Sequence, residues 1–107
     1  MGSLKSQVNL ATLYGESGNY NFSEILLNSA LEIRPSADIY YNTGIIQQKG
    51  LRLGDAKESY EKCLGLRPGH ELCQLNLGVI YEAYSKYNIS MKLYSACLET
   101  TLRRRFL

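Results

Sequence analysis

Two stretches of the chain end in the same way, and they read Ala30-Leu31-Glu32-Ile33-Arg34-Pro35 and Cys63-Leu64-Gly65-Leu66-Arg67-Pro68. Their prolines are 33 residues apart, and each follows an apolar segment with helical character. Because proline cannot continue an α-helix, each Arg-Pro pair marks the end of a helix. Two similar helix ends at this distance favour an array of repeats over one irregular domain.

The whole sequence repeats in this way. A shift of 33 residues, and then of a further 34, aligns small residues at one position (Ala11, Gly44 and Gly78) and large ones at another (Leu27, Tyr60 and Tyr94). The units run over 4–36, 37–70 and 71–104. Apolar residues recur at i, i+3 and i+4, as in Leu10, Leu13 and Tyr14, which is the spacing of a helix face. The pattern predicts an all-α chain of six helices of about 12 residues, paired as three antiparallel hairpins.

These positions resemble the tetratricopeptide repeat, with its Trp-x2-Leu-Gly-x2-Tyr block, then Ala-x3-Phe, then Pro. The matching residues are Leu10, Ala11, Tyr14, Ser23 and Pro35 in the first unit, Gly44, Ala56, Tyr60 and Pro68 in the second, and Leu77, Gly78, Tyr81, Ser90 and Tyr94 in the third. Leu102 stands where the third unit would have proline, so we expect the last helix to continue towards Arg105. The resemblance implies a right-handed superhelical α-solenoid, with the first helix of each hairpin lining a concave groove.

Composition and charge exclude several classes of protein. Hydrophobic residues make up 45% of 107 residues, too many for a disordered tail, and the net charge of +2 gives no reason to expect nucleic acid or a membrane as partner. No apolar run approaches the roughly 20 residues of a membrane span, and the start lacks a secretory signal. Three cysteines, interpreted as free thiols, favour a reducing, cytoplasmic location.

Residues suited to catalysis or metal binding are scarce. The one histidine, His70, falls in a connector, where we expect a solvated turn residue without a catalytic partner. Cys63 and Cys97 occupy the repeat position of Ala30, which favours buried packing over a zinc site. The segment 50–57 lacks the spacing of a phosphate-binding loop. The sequence therefore predicts a non-enzymatic protein without a cofactor or metal.

The predicted groove carries one asparagine per unit, Asn9, Asn42 and Asn76, each two residues before the small residue of its unit. An amide donates and accepts at once, so it can pair with the backbone of an extended peptide. Similar repeats use groove asparagines in this way, and the side chains predicted to select the peptide are Tyr41, Ile45, Leu72, Leu75 and Val79. Chaperone-binding relatives hold terminal carboxylates with a basic clamp. The clamp positions here hold Val8, Thr12, Asn42, Leu72 and Asn76. Only Asn42 matches, so binding of an acidic chaperone tail is not expected.

We therefore expect a protein or peptide partner bound in the groove, in the manner of an adaptor. A second interpretation is a self-assembling scaffold, because Phe106-Leu107 is too short for a capping helix over the third unit and its apolar face could pair two copies. The same uncapped face is also expected if the chain is a piece of a longer repeat array. A helical-repeat RNA binder is a third, but Glu16, Asp38 and Glu82 disfavour a basic groove. The basic run 103–105 is interpreted as cations at a helix C-terminus, and most of the nine tyrosines as core.

Overall fold

A computed structural model describes residues 2–106, and the side chains of residues 4–106. Leu107, part of the predicted end of the domain, lies outside them. The six helices of this range are α1 (Gly2–Glu16), α2 (Tyr20–Ile33), α3 (Ala37–Lys49), α4 (Leu53–Leu66), α5 (Glu71–Ala83) and α6 (Tyr87–Phe106). Helices α1–α2, α3–α4 and α5–α6 form three hairpins, which pack in chain order through α2 against α3 and α4 against α5. Since no strand occurs within residues 2–106, the predicted all-α hairpin fold is confirmed.

Small residues lie where the two helices of a hairpin cross, as predicted. In the first hairpin the Ser23 hydroxyl donates to the backbone oxygen of Ala11 over 2.6 Å, and both residues are buried. In the second, a Cβ added at Gly44 would lie 2.5 Å from the Tyr60 ring, so glycine is needed for close approach. In the third, the Ser90 hydroxyl donates to the backbone oxygen of Gly78 over 2.9 Å.

The core lies between successive hairpins. Leu27 and Ala30 of α2 pack with Ile39 and Ile46 of α3. The second interface has the same arrangement and is formed by Tyr60 and Cys63 of α4 with Cys73, Leu77 and Ile80 of α5. Each interface buries apolar side chains from a second helix against the first helix of the next unit, which supplies the hydrophobic driving force for stacking.

Helices α2 and α4 end one residue before their Arg-Pro pairs, as predicted. The helices that follow are N-capped by side chains at equivalent repeat positions. Ser36 Oγ accepts from the Ile39 N–H at 3.5 Å, and His70 Nδ1 accepts from the Cys73 N–H at 3.3 Å. The prediction of a solvated His70 is therefore wrong. Its side chain is only 4% exposed, because it caps α5 and its Nε2 lies 2.9 Å from Asp38 Oδ1.

The prediction that all three cysteines are free thiols is also wrong. Cys63 and Cys73 form a disulfide that joins the second hairpin to the third, while Cys97 is free. Packing of α4 on α5 brings their Cα atoms to 6.6 Å, which is within the range for a disulfide. Residues ten apart meet here because a short connector reverses the chain, and spacing alone does not reveal this.

The two outer helices leave apolar side chains exposed. Leu13 of α1 is 62% exposed, although the equivalent Ile46 and Ile80 are buried between hairpins. Leu98 of α6 is 59% exposed, whereas Leu64 at the same repeat position packs against the core. The predicted helix stripes are present, but within residues 4–106 nothing covers their outer faces. The expectation that most of the nine tyrosines belong to the core is confirmed, since Tyr60 is fully buried and four half-buried tyrosines pack against the core clusters, namely Tyr20, Tyr40, Tyr41 and Tyr81.

Candidate functional site: the concave groove

The first helices α1, α3 and α5 carry the predicted groove residues. Asn9 of α1 is exposed, while Asn42 of α3 and Asn76 of α5 are half-buried. Tyr41 and Ile45 are also half-buried and pack against the core of the second interface. The three apolar candidates of α5 are exposed, namely Leu72, Leu75 and Val79.

The structure distinguishes two of the asparagines by their partners. Asn76 Nδ2 lies 3.4 Å from the hydroxyl oxygen of Tyr60, and that hydroxyl donates to Gln48 Oε1 over 2.7 Å. Burial raises the pKa of Tyr60, so its hydroxyl stays protonated and can serve as a donor. At the repeat position of Tyr60, the first hairpin has Leu27, which cannot hold the Asn42 amide in the same way. Among residues 4–106, the Asn42 side chain makes no hydrogen bond and remains available to a ligand.

A cleft of about 180 Å³ opens between α1 and α3. Its walls are formed by Thr12, Glu16, Leu27, Tyr41, Asn42, Ile45, Ile46 and Lys49. Three of the predicted binding residues therefore meet at one place: Tyr41, Asn42 and Ile45. Leu27 and Ile46 were not predicted as parts of the cleft. The leucine at position 27, where the other two units have tyrosine, is the signal in the sequence that could have indicated them.

The groove differs in character along its length. Glu16 of α1 and Lys49 of α3 bring charges of opposite sign to the cleft between the first two hairpins. On the third hairpin, the corresponding groove position is Ala83, and Leu72, Leu75 and Val79 expose apolar surface. The structure therefore separates the predicted site residues into a cleft that combines an amide with apolar walls, and an apolar strip on α5.

One buried cluster outside the groove contains metal-ligating residue types. The ligand atoms of Cys63, His70 and Cys73 lie within 4.8 Å of one another. The two sulfur atoms are bonded together, and both ring nitrogens of His70 already have protein partners. In this form each donor atom of the cluster already has a partner within the protein, and these contacts stabilise the junction of α4 and α5.

Comparisons with known proteins agree with this architecture. The family model for the tetratricopeptide repeat matches residues 4–36 and 37–70. The chain belongs to the tetratricopeptide repeat family, whose members form helical solenoids that serve as protein–protein interaction modules and are typically non-enzymatic. The third unit, 71–104, is a helix hairpin, and its membership of the repeat series stays a prediction. A search of curated protein sequences gave no match.

Solved structures with the same fold include MamA, with a TM-score of 0.92 and 20% identity over 97% of this chain and 61% of that one. Another is the second tetratricopeptide repeat region of Spaghetti (RPAP3), solved with the HSP90 peptide SRMEEVD bound, with a TM-score of 0.84 and 12% identity over 91% of each chain. The chain spans about three fifths of the length of that MamA structure. At these identities the likeness shows the fold alone. Within residues 2–106, no helix is both long and apolar enough to cross a membrane.

Proposed function

We propose that this chain is a non-enzymatic adaptor that binds an extended peptide segment of a partner protein in its concave groove. The observation that carries the proposal is the Asn42 amide, which lies at a groove cleft without a hydrogen-bond partner among residues 4–106. The Asn42 amide is half-buried but open to solvent, so its N–H and C=O groups can bind the backbone of a peptide that displaces water there.

The neighbouring side chains support a peptide ligand. Tyr41 and Ile45 place apolar surface beside Asn42, and Leu72, Leu75 and Val79 continue it along α5. Asn9 and Asn76 would add backbone contacts at either side, although Asn76 must share its amide with Tyr60. The Spaghetti structure with its bound HSP90 peptide illustrates that this fold can hold a peptide. The ligand proposed here is different, because Val8, Thr12 and Leu72 provide no positive charge for a carboxylate-rich tail.

The groove does not favour nucleic acid, because Glu16 and Lys49 bring opposite charges to the same cleft. The proposal requires no cofactor. A cytoplasmic location stays a prediction, and it loses its argument from three free thiols now that Cys63 is paired with Cys73.

A peptide display library provides the test, because it samples many extended peptides at once. Random 12-residue peptides are selected against the chain, and the affinity of enriched peptides is compared between the native chain and Asn42→Ala. Loss of about 1 kcal/mol from the missing hydrogen bonds predicts roughly fivefold weaker binding. Asn28→Ala is the matched control, because Asn28 is exposed on α2, away from the cleft. Failure to enrich any peptide, or equal affinity of Asn42→Ala and the native chain, contradicts the proposal.

The exposed outer faces support a second candidate, a scaffold in which copies stack head to tail. Leu13 of α1 lies at the position where Ile46 and Ile80 meet the preceding hairpin, and Leu98 of α6 lies where Leu64 meets the following one. A second copy could therefore continue the internal interface. Such a contact joins two different faces, so it assembles copies into open chains or closed rings according to the rotation between neighbours.

Light scattering across a range of concentrations tests this scaffold. A mass that rises with concentration, and that returns to the monomer in Leu13→Glu and in Leu98→Glu, supports it. Ile25→Glu is the control, since Ile25 is exposed but Glu58 and Lys92 occupy its position in the other hairpins, outside the stacking interfaces. A monomer at every concentration excludes the scaffold and leaves the peptide groove unaffected.

A further inference from the structure

The three hairpins differ at one position of their second helices, which is occupied by Leu27, Tyr60 and Tyr94. Tyr60 reaches from α4 to Gln48 of α3, and its hydroxyl donates to Gln48 Oε1 over 2.7 Å. In the third hairpin Tyr94 reaches from α6 to Glu82 of α5 in the same way, with a distance of 2.7 Å. Each tyrosine therefore fills the space beneath the first helix of its own unit.

The first hairpin has no tyrosine here, and Ile46 of α3 packs into the space beside Gly15 instead. Its residue at the tyrosine position is Leu27, and the residue at the position of Gln48 and Glu82 is Gly15. Leucine is shorter than tyrosine and has no hydroxyl, so it neither spans the space nor reaches the amide of Asn42. The cleft of about 180 Å³ between α1 and α3 has Leu27 in its wall and Asn42 beside it. The cleft thus lies beside the position that a tyrosine ring occupies in the other two hairpins, with Leu27 and Ile46 in its wall.

We infer that this cleft is a specificity pocket for one apolar side chain of an extended peptide, an inference that rests on the proposed function. Its deeper walls are the apolar side chains of Leu27, Ile45 and Ile46. Its volume is several times the ~30 Å³ that a water molecule occupies in the liquid, which is enough for a leucine, isoleucine or methionine side chain. Burial of such a side chain supplies the apolar transfer free energy, while the Asn42 amide binds the peptide backbone beside it.

Charged side chains at the cleft select the peptide residues on either side of the apolar residue in the pocket, which is called the anchor. Glu16 comes from α1 and Lys49 from α3, and neither forms a salt bridge with any residue in the range 4–106. A basic peptide residue is therefore favoured on the α1 side and an acidic one on the α3 side. The partner segment is an extended peptide in which an apolar residue lies between a basic and an acidic residue.

The sequences of the enriched library peptides test the pocket. Enriched peptides should share one leucine, isoleucine or methionine with a basic residue on one side and an acidic residue on the other. Replacement of the apolar anchor by serine should weaken binding at least tenfold, the loss expected when one buried aliphatic side chain is removed. Enriched peptides without an apolar anchor would overturn the inference while the proposed function survives.

Two variants of the chain test the position of the pocket. The double variant Ala11→Gly/Leu27→Tyr installs the ring together with the glycine against which it packs in the other two hairpins, so it should fill the cleft and weaken peptide binding at least tenfold. Thr12→Arg should cover the cleft and weaken peptide binding to a similar extent. Thr12 is exposed and its hydroxyl donates only to the backbone oxygen of Val8 in the same helix, so the substitution should not disturb the fold. Ser29→Arg is the matched control on the exposed side of α2 and should bind normally.

The outcomes separate the pocket from the groove. Peptides that bind the native chain and both variants equally overturn the pocket and leave groove binding intact. If Ala11→Gly/Leu27→Tyr fails to fold, Thr12→Arg against Ser29→Arg decides. If the library yields no peptide for the native chain, the proposed function fails and the pocket fails with it.

Discussion

Asn76 Nδ2 lies 3.4 Å from the hydroxyl oxygen of Tyr60, so a groove side chain of α5 is held by a residue of the α4–α5 interface. Asn42 has no such contact among residues 4–106. We therefore predict that Asn76→Ala lowers the free energy of unfolding by about 0.5 kcal/mol, the low end for a neutral hydrogen bond. Asn42→Ala should leave it unchanged. Urea denaturation followed by circular dichroism measures both, and equal losses would show that the Asn76 contact adds nothing.

Tyr60 predicts an alkaline limit to stability. An unfolded tyrosine ionises near pH 10, whereas burial raises the pKa of Tyr60 in the fold because the phenolate is disfavoured there. Above pH 10 the unfolded chain has released this proton and the folded chain retains it. The unfolded state then binds fewer protons, so the free energy of unfolding falls as pH rises.

Denaturation of the native chain and Tyr60→Phe between pH 8 and pH 11 measures this effect. The native chain should lose more stability than Tyr60→Phe, and the exposed Tyr84→Phe should follow the native chain. Parallel curves for all three would contradict a buried hydroxyl.

Glycine at position 44 is required by the helix crossing. A Cβ there would lie 2.5 Å from Cε1 of Tyr60 and 2.8 Å from Cδ1, so the buried ring must move. Gly44→Ala should lower the free energy of unfolding by about 1–3 kcal/mol. Gly65→Ala is the control, because no atom lies within 4 Å of a Cβ there and alanine in an exposed helix should add about 0.5–1 kcal/mol. Losses of equal size at both sites would place the crossing elsewhere.

The turn of the second hairpin contains an avoidable strain. Leu51 has a φ of 63° and is 87% exposed, and the equivalent residue of the first hairpin is Gly18, with a φ of 92°. Since glycine adopts this conformation freely, Leu51→Gly should raise the free energy of unfolding by about 1 kcal/mol. Ile25→Gly, within helix α2, should lower it. Thermal melts of the two variants check the opposite signs, and a loss in Leu51→Gly would refute the argument.

The Cys63–Cys73 disulfide predicts a response to reductant. It closes a separation of 10 residues, so its loss should lower the free energy of unfolding by about 2–3 kcal/mol. Denaturation with and without a thiol reductant measures this. Cys97→Ser should keep the response and Cys73→Ser should lose it. Identical curves for the native chain in both conditions would show that the two sulfurs do not form a bond.

The fold could be predicted from the sequence because its determinants are local and repeated. Pro35 and Pro68 end helices whatever surrounds them, and the missing side chains of Gly44 and Gly78 allow two helices to approach closely. Both effects can be inferred from the residue type alone. The extent of the helices was less accurate. The predicted length of about 12 residues is too short, because the helices of residues 2–106 have 13 to 20 residues and α6 extends from Tyr87 to Phe106.

Features that depend on contacts between hairpins could not be predicted. His70 is in a connector by sequence, yet it is buried because Asp38 and the first turn of α5 lie against its ring. Cys63 meets Cys73 only because α4 packs on α5. The repeat pattern predicts which helices carry the groove residues. The cleft depends on how Leu27 packs beside α3, and that requires a comparison of packing between the units.

The central claim, that the groove between the first helices binds peptide, is tested most directly by amide chemical shifts of the labelled chain titrated with one library-selected peptide. The account predicts the largest shifts at Thr12, Asn42, Ile45 and Lys49, all at the cleft. Shifts confined to the exposed face of α6, around Met91 and Leu98, would contradict it.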